Sequence, residues 1–302
     1  MNVSQSTPQV RRQGMREDLV GEQFIKITGP TGDWIVIDEP TQRFELTSEH
    51  IIWLCNRSTG VGAVGVVLIT EAPPLHGRPA LSLEAWMADG TPMQHLTEAA
   101  RVATYALVAL KKIANADTSH HVFSSSSGLI TTVYTPAYVG VDIGQWSYEM
   151  PETASAAGSD TLVMAAGLTD PRPGLSIRAQ NLHVTVAVES LEELAGIDLA
   201  QAPSIDPEAS EPTGVNFVVP HDPLMVEGIG QLALRHPPAV HGVSDLGTAA
   251  ATATIAFQLW TGLTQLSLWN VSTPCGDIVV QLHEGQRIST FAALSTAFIG
   301  RL

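Results

Sequence analysis

The sequence has few basic residues. Lys and Arg together number 15 of 302, against 30 Asp and Glu, and the formal net charge is −15. Binding of phosphates requires clustered cations, so this balance argues against nucleic acid and against an anionic membrane surface as partners. No apolar run approaches the roughly 18 residues of a membrane span, and the first twenty residues lack the apolar stretch of a secretory signal. We therefore expect a cytoplasmic protein.

Cysteine and cofactor motifs are also scarce. Cys55 and Cys275 are the only cysteines, and they form neither a metal-binding spacing nor a disulfide framework. The chain contains no P-loop, no dinucleotide fingerprint after a strand, and no nucleophile elbow. The prediction is a protein without metal and without cofactor.

The sequence is rich in small apolar residues, and their patterns predict an α/β (α+β) fold. Two alanine-rich segments predict helices at Ala99–Ala114 and Gly247–Trp260, each set among short strand-like runs. Leu96, Ala99, Ala100, Ala103, Thr104 and Ala106 fall on Leu246, Ala249, Ala250, Ala253, Thr254 and Ala256 when the two helices are overlaid. This internal similarity predicts two similarly folded halves, each with a helix through its own sheet.

The predicted boundaries follow from composition. Residues 1–21 read as a disordered lead-in. An N-terminal domain is expected at 22–150, completed by the final strand at about 292–302, and a C-terminal domain at 157–291. Glu152–Asp160, which is rich in Ala and Gly and follows a proline, is the expected linker.

Five segments resemble, in order and spacing, the motifs of the diaminopimelate epimerase family. They are Phe24–Asp38, Cys55–Gly65, Trp86–Thr91, Asn181–His183 and Pro212–Asn216. The resemblance implies two similar domains, each a β-barrel-like sheet around a central helix, that face each other across a cleft. It further implies that the substrate carboxylate lies at the helix N-termini, and that one cysteine from each side moves a proton without a cofactor.

Residue by residue, that chemistry is missing. Leucine occupies both positions that match the catalytic cysteines, at Leu96 and Leu246. Among the polar recognition positions, Asn181 and Asn216 survive, whereas Gly32, Met87 and the pair Pro237–Pro238 replace the others. The resemblance therefore implies a smaller or less polar substrate than diaminopimelate. Backbone N–H groups at Thr97, Glu98, Gly247 and Thr248 would still hold its carboxylate, since they need no particular side chain.

Three residues beside the lost cysteines are candidate catalytic groups. Glu98 is either the replacement base or a carboxylate that only complements the helix dipole. Asp245 is either the acid on the opposite side or a helix N-cap. His95 is either a proton shuttle or a polar loop residue.

The favoured hypothesis is a cofactor-independent isomerase that moves a proton or shifts a double bond on a small carboxylic or cyclic amino acid. The actinobacterial biosynthesis of 4-alkylproline antibiotic precursors is its suggested setting, by family analogy alone. The alternative is a catalytically inactive relative that still binds a small carboxylate. The expected partner is that small molecule, with a homodimer left open.

Overall fold

The structure of the chain is a computed structural model, which describes residues 19–41, 43–75, 78–113, 118–126, 128–237 and 246–302. The strands are β1 (Gln23–Gly29), β2 (Gly32–Asp38), β3 (Gly65–Leu75), β4 (Arg78–Met87), β5 (Ser119–Ser125), β6 (Gly128–Tyr134), β7 (Val139–Gln145), β8 (Ser147–Tyr148), β9 (Thr161–Met164), β10 (Arg172–Arg178), β11 (Leu182–Ala187), β12 (Ser204–Asp206), β13 (Gly214–Val226), β14 (Ile229–Arg235), β15 (Leu268–Thr273), β16 (Gly276–His283), β17 (Arg287–Ala292) and β18 (Ser295–Arg301). The helices are α1 (Ser48–Cys55), α2 (Thr97–Ala109), α3 (Pro151–Ala157), α4 (Leu191–Gly196) and α5 (Leu246–Thr261).

The described residues divide into two compact units. Unit 1 holds residues 19–28, the described part of 32–134, and 294–302, and unit 2 holds residues 29–31 and the described part of 135–293. The junction lies at Tyr134–Thr135 rather than between residues 150 and 157, because β7 and β8 belong to unit 2. The C-terminal strand β18 pairs with β1 in unit 1.

The two units are built on the same plan. In unit 1 the pairs β2–β3 and β4–β5 are parallel, and each is connected through a helix, α1 or α2. In unit 2 the pairs β11–β13 and β14–β15 are parallel, connected through α4 and α5 in turn. Parallel strands require such crossovers, whereas the remaining neighbours pair antiparallel. The predicted repeat of one plan in both halves is thus present in the topology.

Each unit carries one alanine-rich helix in its interior. Helix α2 contacts β2, β3, β4 and β6, and α5 contacts β10, β11 and β13 to β17. Every residue from Gly247 to Phe257 is buried, so the sheet covers α5 on all faces. Small side chains allow strands to approach a helix closely from several directions, which is why alanine recurs there.

A buried threonine occurs at the matching position of the two helices, Thr104 in α2 and Thr254 in α5. Thr104 Oγ1 donates to the Ala100 carbonyl (2.8 Å), and Thr254 Oγ1 donates to the Ala250 carbonyl (2.9 Å). Both hydroxyls are completely buried, and these backbone contacts satisfy them. The overlay of the two helices in sequence therefore corresponds to the same local geometry.

Three sequence predictions about element limits are wrong. Helix α2 ends at Ala109, five residues before the predicted Ala114. The cause is the left-handed conformation of Lys111 (φ 59°), after which the Lys112 N–H donates back to the Leu107 carbonyl. The expected linker at Glu152–Asp160 is largely the helix α3, which starts with Pro151 and ends at the left-handed Gly158.

The third incorrect prediction concerns the N-terminal lead-in. Of the predicted disordered segment 1–21, residues 19–21 belong to unit 1: Leu19 is completely buried, and the Gly21 N–H donates to the Leu302 carbonyl (2.8 Å). Residues 1–18 lie outside the described residues. The described helices include none with the length and apolarity to cross a membrane.

Candidate functional site

In unit 1, the N-terminus of α2 brings together a lost cysteine position and a buried ion pair. Leu96 occupies the N-cap position, and its side chain makes no hydrogen bond to the first turn. Glu98 follows in that turn, where a carboxylate is favoured by the helix dipole. Thr97 and Glu98 are both buried.

The Glu98 carboxylate meets Arg101 one turn further along the helix. Arg101 Nη1 donates to Glu98 Oε2 at 2.8 Å, and only 1% of the Arg101 side chain and 7% of the Glu98 side chain are exposed. A guanidinium so placed favours the ionised carboxylate, since an unpaired charge in the interior is costly. The sequence reasoning did not consider Arg101, although its position three residues after Glu98 on a predicted helix is the usual spacing for such a pair.

His95 lies just before α2. It is half-buried, in the loop between the isolated bridge at Pro92 and the helix. His95 lies three residues before Glu98 in the sequence, and both residues belong to unit 1.

In unit 2, a network of polar side chains surrounds Asn216 beside the first turns of α5. The Asn216 Oδ1 contacts His236 Nδ1 at 2.9 Å and His183 Nδ1 at 3.3 Å. Its Nδ2 donates to Thr252 Oγ1 at 2.9 Å. Asn216, His183 and Thr252 are completely buried, while His236 is half-buried.

This network bears on the expected role of Asn216 as a substrate-binding residue. Both ends of its amide are engaged by side chains of unit 2, namely two imidazoles and a threonine, and its role in substrate binding stays a prediction. The two imidazole rings lie 5.5 Å apart. His236 was not among the sequence candidates, although it directly precedes the proline pair that replaces two recognition residues of the resembled family.

The two units share one more feature at the same point of their plan. In unit 1 Trp34 pairs with Gly65, and a Cβ on Gly65 would meet the Trp34 ring at 2.5 Å. In unit 2 His183 pairs with Gly214, and a Cβ there would meet the His183 ring at 2.5 Å. In each unit, the first residue pair of a parallel strand pair therefore places an aromatic ring over a glycine. The ring is the polar imidazole of His183 in unit 2 and the largely apolar indole of Trp34 in unit 1.

The other sequence candidates are placed as follows. Gly247 and Thr248 are buried in the first turn of α5, and the Thr248 carbonyl accepts from Thr252. Leu246, at the second lost cysteine position, begins that helix. Asn181 is half-buried in the turn before β11. Asp245 lies outside the described residues.

Neither cysteine is placed as a nucleophile. Cys55 is buried at the end of α1, and this burial raises the pKa of its thiol to about 12. A thiol becomes a nucleophile only as its thiolate. Cys275 is exposed in the turn between β15 and β16. Among the described residues, no three His, Cys, Asp or Glu side chains converge as metal ligands would.

Comparison with known proteins gives relatives of one kind. No protein-family model matches the chain. It is 27% identical to the diaminopimelate epimerase of Mycolicibacterium smegmatis over 86% of this chain and 90% of the relative. It is 28% identical to the diaminopimelate epimerase of Mycobacterium leprae over the same shares.

Solved structures share the fold at low identity. A phenazine biosynthesis protein of the PhzF family from Bacillus anthracis matches with a TM-score of 0.63 and 10% identity, over 93% of this chain and 98% of the other. A hydroxyproline epimerase from Agrobacterium vitis, with bound trans-4-hydroxy-L-proline, matches with a TM-score of 0.57 and 11% identity, over 93% and 92%. A methylitaconate-delta-isomerase matches with a TM-score of 0.53 and 14% identity, over 94% and 96%.

These matches extend over nearly the whole chain, and they confirm the predicted fold class. The relatives are epimerases and isomerases, in sequence and in structure alike. The chain is thus similar to diaminopimelate epimerases in sequence and to epimerases and isomerases in fold, with leucine at both positions where its sequence resembles the catalytic cysteine motifs.

Proposed function

We propose that the protein is a cofactor-independent isomerase that transfers a proton on a small carboxylic or cyclic amino acid, with Glu98 as a base. The observation that carries this proposal is the buried Glu98 carboxylate, two residues past Leu96 in the first turn of α2. A carboxylate can perform the proton transfer that a thiolate performs in a cysteine enzyme, provided that it is held in reach and ionised. Arg101 supplies the second condition.

The proposed reaction is a proton transfer that involves Glu98 and a second acid–base group. Glu98 takes a proton from carbon while the electron pair stays on the substrate, and the substrate carboxylate is stabilised by N–H groups at a helix N-terminus. His95, or Asp245 outside the described residues, returns a proton to the same or to a conjugated carbon. A double-bond shift suits a carboxylate base better than racemisation, because a vinylogous C–H is more acidic than an unactivated α-C–H.

The substrate class is supported by the relatives alone. The hydroxyproline epimerase holds a cyclic amino acid, and the methylitaconate-delta-isomerase is by name an enzyme that moves a double bond. Both are compatible with a proline-like substrate that is isomerised, as in 4-alkylproline antibiotic precursor biosynthesis in actinobacteria. We keep that pathway, a cytoplasmic location and a homodimer as proposals.

One observation favours an inactive carboxylate-binding protein as the second candidate. The Glu98–Arg101 contact is internal to one helix and nearly closed to solvent, as expected of a purely structural ion pair. In that case the fold would bind the same small carboxylates but exchange no proton.

The test is solvent deuterium uptake with a panel of dienoic and cyclic amino acids, L-proline and trans-4-hydroxy-L-proline among them. We expect the wild type to incorporate deuterium, and Glu98→Gln to be slower by about 10²–10⁴-fold, the usual share of a general base. Glu49→Gln is the matched control, because Glu49 stands in the first turn of α1 in the same unit but is exposed. It should retain wild-type activity.

Because Gln at position 98 leaves Arg101 buried without its carboxylate, folding is checked by thermal denaturation, and Glu98→Gln/Arg101→Gln is made as a second inactive variant. Full activity in either variant would remove Glu98 from the mechanism. Binding of panel members to the wild type without any exchange would favour the inactive binding protein.

A further inference from the structure

A pocket lies beside the C-terminal end of α2, within unit 1. Its volume is about 460 Å³, which is in the range of small-molecule binding sites. We call it the α2 end pocket, and it is lined by Tyr105, Val108, Ala109, Lys111, Ile113 and Tyr134. Val108 follows Glu98 by ten residues, so the two lie about 15 Å apart along the helix axis. The pocket is therefore separate from the candidate site at the helix N-terminus.

Tyr134 brings a nearly buried hydroxyl group to this pocket. It is the last residue of β6, and only 7% of it is exposed. Its hydroxyl forms no hydrogen bond within the described part of the chain, and it keeps some access to solvent. Buried polar groups are normally hydrogen-bonded. A ligand in the α2 end pocket can supply the partner that this hydroxyl lacks.

Lys111 occupies a backbone position that favours glycine. It follows the C-cap residue Leu110 and has a φ of 59°. Its N–H donates to the Val108 carbonyl (3.0 Å), and the Lys112 N–H donates to the Leu107 carbonyl (2.8 Å), which is the Schellman arrangement. Glycine is usual there because a Cβ is strained in this conformation. Lysine accepts that strain at a position where its side chain borders the pocket.

The polar groups that the pocket offers to a ligand are hydrogen-bond donors. Lys112 forms an ion pair with Asp38 at 3.3 Å, whereas Lys111 forms none with any described residue. The Tyr105 hydroxyl, like that of Tyr134, has no partner in the described ranges. The carbonyls of the last helical turn already accept from N–H groups of the chain, and none of the lining residues is acidic. One ammonium and two phenols thus remain to bind an acceptor.

The charges decide which acceptor fits. The C-terminal end of a helix carries about half a negative charge, which the single positive charge of Lys111 exceeds by about half a charge. This balance suits one negative charge and disfavours a phosphate dianion or a dicarboxylate. Val108, Ala109 and Ile113 add apolar walls, so the group that carries the charge should have an apolar body.

We infer that the α2 end pocket binds a small monocarboxylate with an apolar body. The carboxylate accepts hydrogen bonds from Lys111 Nζ and from the hydroxyls of Tyr105 and Tyr134, while the body packs against Val108 and Ile113. This inference goes beyond the proposed isomerase function and does not depend on it, because the pocket shares no residue with the Glu98 site.

The probe is 4-phenylbutanoate, titrated into the full-length protein by calorimetry, with 4-phenylbutanamide as its uncharged counterpart. We expect the wild type to bind the carboxylate with a Kd of about 1 mM or lower, and the amide at least about tenfold more weakly. A Kd for the carboxylate above about 1 mM would overturn the inference. Equal affinity for the amide would overturn it as well.

Lys111→Gly is the decisive variant, because it removes the ammonium group at a position where glycine relieves backbone strain. Its Tm should stay at or above that of the wild type, so a loss of binding would not reflect misfolding. Lys112→Ala is the matched control, since Lys112 does not line the pocket. We expect at least about tenfold weaker binding of 4-phenylbutanoate in Lys111→Gly, and an affinity within about twofold of wild type in Lys112→Ala. Wild-type affinity in Lys111→Gly would overturn the inference.

Tyr134→Phe tests the second donor. It removes only a hydroxyl that has no partner among the described residues, so the Tm should change little. Binding of 4-phenylbutanoate should weaken about tenfold, which is the usual effect of losing a hydrogen bond to a charged group. Unchanged affinity would remove Tyr134 from the site and contradict the inference.

Tyrosine signals locate the bound probe. The chain has four tyrosines: Tyr105 and Tyr134 line the pocket, whereas Tyr138 and Tyr148 belong to unit 2. In carbon NMR of ring-labelled tyrosine, 4-phenylbutanoate should shift the signals of the first two and leave the other two in place. Shifts of Tyr138 or Tyr148 alone, or of no tyrosine, would place the probe elsewhere and overturn the inference. Deuterium uptake tests the isomerase proposal separately, and its absence would leave each of these outcomes unchanged.

Discussion

The buried Glu98–Arg101 pair gives the sharpest stability prediction. Replacing Arg101 by Met keeps an unbranched side chain of similar length in a place that is 1% exposed, but it leaves the Glu98 carboxylate buried without its guanidinium partner. Removing one member of a buried ion pair typically costs about 3–5 kcal/mol, because the remaining charge has lost both water and partner. At about 2–4 °C per kcal/mol for a unit of this size, Tm should fall by about 6–20 °C.

The double variant Glu98→Gln/Arg101→Met tests the cause. If the unpaired carboxylate is responsible, removing its charge should recover a large part of the lost Tm, even though one more native group is gone. Arg57→Met is the control, because Arg57 also contacts a carboxylate, at 3.5 Å from Asp33, but its side chain is 65% exposed. Such surface pairs contribute about 0–1 kcal/mol.

The measurement is thermal unfolding followed by circular dichroism and by calorimetry, so that separate transitions of the two units would be seen. A Tm for Arg101→Met within about 2 °C of wild type would refute the reasoning. So would a double variant that is less stable than Arg101→Met alone, since the penalty would then not come from an unpaired charge.

Two further predictions concern groups with displaced pKa values. The hydrogen bonds from Arg43 lower the pKa of Glu39 to about 2. Its contribution to stability is therefore present above the ordinary pKa of about 4.5 and is lost as pH falls through about 2. Glu39→Gln should cost roughly 1–2 kcal/mol at pH 7, discounted for the exposed arginine, and only a small part of that at pH 2 in urea titrations. Burial raises the pKa of the Cys55 thiol to about 12. The native protein at pH 8 should therefore react with a disulfide reagent only at the exposed Cys275, whereas the unfolded protein should react at both thiols. Rapid modification of both thiols in the native state would contradict this prediction.

Loss of both cysteines changes what the fold needs from its side chains. A thiolate at a helix N-terminus can be activated by the helix dipole alone. A carboxylate in the interior instead needs a partner that sets its protonation state. The structure supplies Arg101 for Glu98.

The local patterns of the sequence were sufficient for much of the fold. Helices α2 and α5 were predicted, because helical periodicity and alanine content report on the burial of a whole segment. The overlay of the two alanine helices predicted the internal repeat, which the parallel pairs in both units bear out. Errors arose at ends: Lys111 stops α2 through its backbone conformation, and Pro151 with Gly158 start and end a helix where a linker was expected.

The sequence by itself placed leucine, which cannot ionise, at Leu96 and Leu246, the two positions that resemble catalytic cysteines, and it placed Glu98 in the first turn of a helix. It did not determine the use of Asn216. That depends on partners from distant parts of the chain: His236 from the end of β14 and Thr252 from α5 meet Asn216 only when the sheet closes around the helix. Hydrogen bonds between residues far apart in the chain are set by register and packing, so only the tertiary structure decided that Asn216 holds an imidazole.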